Sequence, residues 1–294
     1  MKIYLDCIPC FFKQALEASR IAGAGQKTQK KILNKLSEII PDIPLNSTPP
    51  EIGRIIYGSV RELTSRKDPY KKIKEKSNEL ALRLYDRLKQ KVSRSDDRLL
   101  TAVELAIAGN IIDYGVKNSL DVDKELNKIL NQEKKTIGRE DSSLFKFRPF
   151  KNALGKADNI LYLADNAGET VFDRILIEEI ESIYGNKKVT YAVKEKPVIN
   201  DALIKDARRC GIDKIARVIS SGSDAPGTVL SLCSRDFLKV YEEANMVISK
   251  GQGNFEALSR ETRPVFFLFM AKCPVIAKDI GCKLGDVILL YRSS

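Results

Sequence analysis

NILYLADNAGET, residues 159–170, decides the fold. An apolar run over 159–164 stops abruptly at Asp165 and Asn166, and Ala167, Gly168, Glu169 and Thr170 lead into a segment, 169–184, with helical patterning. A continuous apolar run bounded by turn residues reads as a strand buried on both faces. The same unit recurs downstream. VTYAVK (189–194), IARVIS (215–220), MVIS (246–249), VFFLFMA (265–271) and DVILLY (286–291) read as further buried strands. Helical segments are expected at 200–210, 228–243 and 254–260. Strand and helix in alternation predict an α/β domain with a mostly parallel sheet covered on both faces.

The preceding half has a different rhythm. Residues 9–23 and 27–40 read as short amphipathic helices, and Pro41, Pro44, Pro49 and Pro50 read as a loop. Ile73, Leu80, Leu84 and Leu88 recur at helical spacing, after a start at Asp68-Pro69. A second long helix is expected through LLTAVELAIAGNIIDYG, with Asn110 and Asp113 on one face of an apolar run. Polar groups there are costly unless paired, which marks both as candidates for the site. The division expected is a helical domain over 1–154 and an α/β domain over 155–294.

Composition narrows the class. Hydrophobic residues make up 43% of the 294, enough for a large core. The net charge is +11, and residues 1–150 carry 29 Lys and Arg against 20 Asp and Glu. A basic front suits an anionic substrate or nucleic acid. The lysines of RKDPYKKIKEK lack the interleaved aromatics of a single-strand binder, so a solvated helix face is favoured. No run approaches the roughly 18 apolar residues of a membrane span. The amino-terminal stretch carries charges within its apolar part and is unlike a signal peptide, so a cytoplasmic protein is expected. Charged residues at 30%, with no His and no Trp, hint at a thermophile.

Open α/β sheets bind ligands beyond the carboxyl ends of their strands. Those ends carry Asp165, Asn166 and Glu169; then Lys194, Asn200 and Asp201; then SSGSDAPGT; then Lys250, Gly251, Gly253 and Asn254. Singly, each reads as a helix cap or turn residue. Together, four loaded strand ends point to a site. Lys250 beside GQG and a helix start has the ingredients of a phosphate cradle. It is neither a Walker A loop nor the dinucleotide fingerprint. Without histidine, a metal at this edge must use oxygen or sulfur. Asp165, Asn166 and Asp201 offer oxygen, which suits Mg²⁺ or Mn²⁺. Co²⁺ or Ni²⁺ are further possibilities. The ingredients describe metal-assisted phosphoryl chemistry.

CIPC, GNIIDYG, ADNAGE, KEKPVINDA and KGQGNFE occur in this order. The chain resembles the damage-control phosphatase (ARMT-like) family, formerly a family of unknown function, and in CIPC its CxxC-bearing archaeal and bacterial branch. The resemblance implies a helical part joined to a Rossmann-like α/β/α domain. It implies a metal-dependent phosphatase for small phosphometabolites, often sugar phosphates. By that resemblance Asp165, Asn166 and Asp201 match the metal ligands, Lys250 a phosphate-contacting lysine and Asn110 a pocket residue. Asp113, Glu169, Gly251 and Asn254 fall around the substrate. Asp165 or Asp201 would orient or deprotonate the attacking water.

Cys7 and Cys10 form one CxxC, while Cys210, Cys233, Cys273 and Cys282 are scattered. Buried reduced thiols or a structural disulfide are favoured over a redox or second metal site, since zinc normally needs four ligands. Two other functions compete with the phosphatase. A methyltransferase with a nucleoside cofactor would need a Gly-rich loop where ADNAGE stands. A nucleic-acid binder would use the basic front, but strand-end carboxylates repel phosphates unless a metal intervenes.

Overall fold

The structure, a computed structural model, describes residues 1–112 and 141–292. Asp113 lies outside the described residues. Five helices lead: α1 (Cys7–Ile21), α2 (Gln26–Ile39), α3 (Pro49–Thr64), α4 (Lys71–Ser93) and α5 (Arg98–Ala108). Helix α3 lies where the four prolines suggested only a loop. Pro49 and Pro50 occupy its first turn, where a missing N–H costs nothing. The Glu51 carboxylate closes that turn, accepting from the Thr48 N–H at 2.6 Å and the Thr48 hydroxyl at 2.9 Å. Ile3, Phe11, Ala15, Ile32, Leu36 and Ile56 join α1, α2 and α3 in one apolar cluster.

Strands β1 (Asp141–Ser142) and β2 (Phe145–Lys146) and helix α6 (Phe147–Lys156) precede the alternating part. There follow β3 (Asn159–Leu163), α7 (Thr170–Tyr184), β4 (Lys188–Val193), α8 (Ile204–Arg209) and β5 (Arg217–Ser220). Then come α9 (Arg235–Glu243), β6 (Met246–Lys250), α10 (Gln252–Leu258), β7 (Val265–Met270), α11 (Pro274–Ile280) and β8 (Val287–Arg292). All six expected strands form. Helices α8 and α9 are shorter than expected, because residues 198–203 and 221–229 are spent on loops at the sheet edge.

The eight strands run in the order β1-β2-β8-β7-β6-β3-β4-β5. The β7-β6-β3-β4-β5 block is parallel, and β8 runs antiparallel to β7. Strand side chains alternate between two cores. Ile160, Tyr162, Tyr191, Ile248 and Leu268 face α4, α5 and α7. Leu161, Leu163, Val247, Phe267 and Phe269 face α9 and α10. Both faces are covered, which is why the central strands are apolar along most of their length.

The chain leaves β3 toward β4 and leaves β6 toward β7, on the opposite side of the sheet. The loops after β3 and β6 therefore diverge. Such a switch point opens a crevice at the carboxyl ends of the two strands.

Candidate active site

A cavity of about 600 Å³ occupies this crevice. Its floor carries Asp165, Asn166 and Glu169 from the loop after β3, Asn200 and Asp201 from the loop after β4, and Gly251 after β6. Helix α5 contributes Ile107 and the following turn Asn110, while α1 contributes Lys13 and Glu17. The volume lies in the range of small-metabolite pockets.

Backbone pairing fixes the floor. Asn166 and Asp201 form an antiparallel bridge. The Ala202 N–H donates to the Asp165 carbonyl at 2.8 Å, and the Ala167 N–H to that of Asn200 at 2.9 Å. Two loops 35 residues apart thereby become one rigid platform. Ile199, with φ of 36°, sits in the left-handed region that a branched side chain avoids. Gly251 closes the platform from the third side. Its φ is 81°, and a Cβ there would collide with the Asp165 carboxylate.

The side chains bring three carboxylates close together on the floor. Both amide hydrogens of Asn166 are used: Nδ2 donates to Asp165 Oδ2 at 3.0 Å and to Glu169 Oε1 at 2.8 Å. With carboxylates on that side, the amide oxygen is the atom left for the cavity. Asn110 Nδ2 also donates to Glu169 Oε1, at 2.9 Å. Asp201 is 1% exposed, and neither of its carboxylate oxygens has a hydrogen-bond partner. Lys194 Nζ stands 3.7 Å from its Oδ2. Burial, offset by Lys194 and Lys74, pushes the Asp201 carboxyl up to about 7. Burial and the negative fields of Glu169 and Asp201 push Asp165 well above the carboxylate range. For Glu169, burial is outweighed by Lys250, Lys272 and the two amides, which hold it below its usual range.

A buried carboxylate with two orphaned oxygens, beside a second carboxylate and a free amide oxygen, fits a hard divalent cation. Among the described residues no three His, Cys, Asp or Glu side chains converge as a metal cluster. The candidate set here is two carboxylates and one amide, which suits a cation that keeps several waters in its shell.

Not every expected residue reaches the cavity. Lys250 is fully buried, its ammonium 3.1 Å from Glu169 Oε2 and 2.6 Å from Asp173 Oδ1. It lies beneath the floor. Asn254 is also turned inward: Nδ2 donates to the carbonyls of Ala164 and Lys250, and Oδ1 accepts from the Thr228 hydroxyl. Cys7 and Cys10 line a neighbouring cavity of about 210 Å³ with Cys273, and all six cysteines are free thiols. Sequence reasoning missed Lys272, Lys13 and Glu17. Lys272 follows β7 and lines the cavity, and its charge acts on Asp165. Its position after a strand was the available signal. Lys13 and Glu17 gave none, because only the packing of α1 brings them here.

The fold belongs to a class of phosphatases. A family model for the damage-control phosphatase ARMT1-like domain matches residues 3–288, and the chain belongs to that family. More particularly, it is similar to a damage-control phosphatase of Pyrococcus horikoshii, at 36% identity over 99% of this chain and 98% of the relative. It is similar to one of Archaeoglobus fulgidus at 34%, over 98% of each. A crystal structure of a DUF89 family protein from P. horikoshii matches with a TM-score of 0.86 at 30% identity, covering 99% of both chains. The expected family, the α/β fold with a helical front and the phosphatase class are thereby borne out.

Proposed function

We propose that the chain is a metal-dependent phosphatase that hydrolyses phosphate monoesters of small metabolites, sugar phosphates and damaged phosphometabolites among them. Asp165, Asn166 and Asp201 would hold the metal, Mg²⁺ or Mn²⁺. The observation that carries this is Asp201: a buried carboxylate with no hydrogen-bond partner, clamped by a backbone bridge against Asp165 and Asn166. Lys194 Nζ meets it only at 3.7 Å, beyond hydrogen-bond reach, and a buried carboxylate held so loosely is costly unless a further cation meets it.

When bound, the metal supplies Lewis-acid polarisation of the phosphoryl oxygen and acidifies a water. The chain's own groups do the rest. Lys272 stands at the cavity and balances phosphate charge. Asp165 or Asp201 would orient the attacking water and take up its proton. Glu169, which also accepts from the Asn110 amide, holds the Asn166 amide. Lys13 and Glu17 on α1 line the same cavity and would meet the substrate's own polar groups. The six free thiols accord with a reducing compartment, the cytoplasm.

The test is a panel of phosphorylated metabolites assayed for phosphate release with Mg²⁺, Mn²⁺, Co²⁺ or Ni²⁺, and with EDTA. The account expects metal-dependent release from several sugar phosphates and none with EDTA. Equal release with and without EDTA would overturn it.

A further inference from the structure

The polar groups of the floor continue into the core as a single chain. Glu169 and Asp173 stand four residues apart around the start of α7, so one ammonium can bridge them, and Lys250 does. Asp173 is 0% exposed. Its Oδ1 also accepts from the Tyr162 hydroxyl at 2.7 Å, and its Oδ2 from the Tyr191 hydroxyl at 2.7 Å. The two phenol rings, from neighbouring strands β3 and β4, stack at 5.3 Å. The run is therefore Tyr162 and Tyr191, Asp173, Lys250, Glu169, then the amides of Asn166 and Asn110.

Stability does not account for this chain. A buried ion pair is often replaced by apolar side chains at no loss of stability, since desolvation consumes the Coulombic gain. Its members are nonetheless each hydrogen-bonded to the next, and its outer end is the amide proposed to meet the metal. Asn166 could otherwise rotate and present its nitrogen. Glu169 prevents this only if its own carboxylate is held, and Lys250 and Asp173 are what hold it.

We infer that Asp173 and Lys250 are positioning residues, acting through Glu169 to lock the Asn166 amide with its oxygen toward the cation; this rests on the metal site proposed above. Lys250 then serves as a counter-ion below the floor, and the cation that meets substrate phosphate is Lys272.

The test is calorimetric titration of Mn²⁺ into the full chain without substrate, so that the readout is metal affinity and not turnover. Asp173→Asn keeps shape and removes charge. It should weaken Mn²⁺ binding roughly tenfold, the scale typical of losing an outer partner of a metal ligand. Lys250→Met should do the same. The double variant should bind no more weakly than the poorer single one, because both act along one chain. Lys272→Ala should raise KM for a phosphate monoester. Thermal unfolding of the metal-free proteins separates any loss of fold. If Asp173→Asn does not fold, Tyr191→Phe removes one hydrogen bond and should still weaken Mn²⁺ binding measurably. Folded variants at Asp173 or Tyr191 and at Lys250 that bind Mn²⁺ like wild type would overturn the inference while sparing the metal site. A wild-type chain that takes up no divalent metal would overturn both.

Discussion

Gly251 shows how tightly the site is specified at the scale of one residue. It needs a left-handed backbone, and it needs empty space where a Cβ would meet the Asp165 carboxylate. Gly251→Ala forces that carboxylate off the platform. We expect metal-dependent phosphate release to fall on the order of a hundredfold, more than any loss of thermal stability accounts for. Glu256 offers a test by pH. Burial, against the Gln252 amide and the Met1 ammonium, pushes its carboxyl from 4.5 up to about 7. A raised carboxyl stabilises the fold fully below its unfolded value and loses that contribution as pH rises through about 7. Glu256→Gln, fixed neutral, should therefore gain in melting temperature relative to wild type as pH rises from 5 to 8. An unchanged difference across that range would show that Glu256 does not titrate as described. At this scale the sequence was informative where residue type alone decided the chemistry. Asp165, Asn166 and Asp201 were legible as candidate oxygen ligands at strand ends, and Glu169 as a residue beside them. The direction of Lys250 was not, because its partner Asp173 lies inside α7, one turn past the residues that marked the site.

Among the elements, the strands were the most legible, since burial on both faces leaves an unbroken apolar run. Helix α3 was missed because prolines were read as a loop. The physics of the first helical turn permits them, and the Thr48–Glu51 contacts supply the start that the reading lacked. Glu51→Ala should cost about 1 kcal/mol in denaturant unfolding, the scale of a lost helix cap. The α5–α7 contact is a sharper case. A Cβ on Gly109 would stand 2.8 Å from the Phe172 ring. Gly109→Ala should destabilise by about 1–3 kcal/mol, the cost of overpacking. It should also disturb the neighbouring Asn110. No loss of stability in that variant would mean that α5 can shift away from α7.

The whole molecule brings together what no local pattern could. The switch point between β3 and β6 follows from strand order, and it gathers residues from positions 13 to 272 around one cavity. Lys13 and Glu17 could not be read as site residues, because the packing of α1 over the crevice depends on three helices and the loop at 197–200. A site that binds metal only in the folded state also couples metal to global stability. Mn²⁺ should raise the melting temperature of the wild-type chain and leave that of Asp201→Asn unmoved. The most direct test of the account is phosphate release from a simple phosphate monoester as Mn²⁺ is added back to EDTA-stripped protein, wild type beside Asp201→Asn. The account predicts activity that rises from background with metal in wild type and stays at background in the variant. Turnover in wild type without metal, or wild-type turnover in the variant, would contradict it.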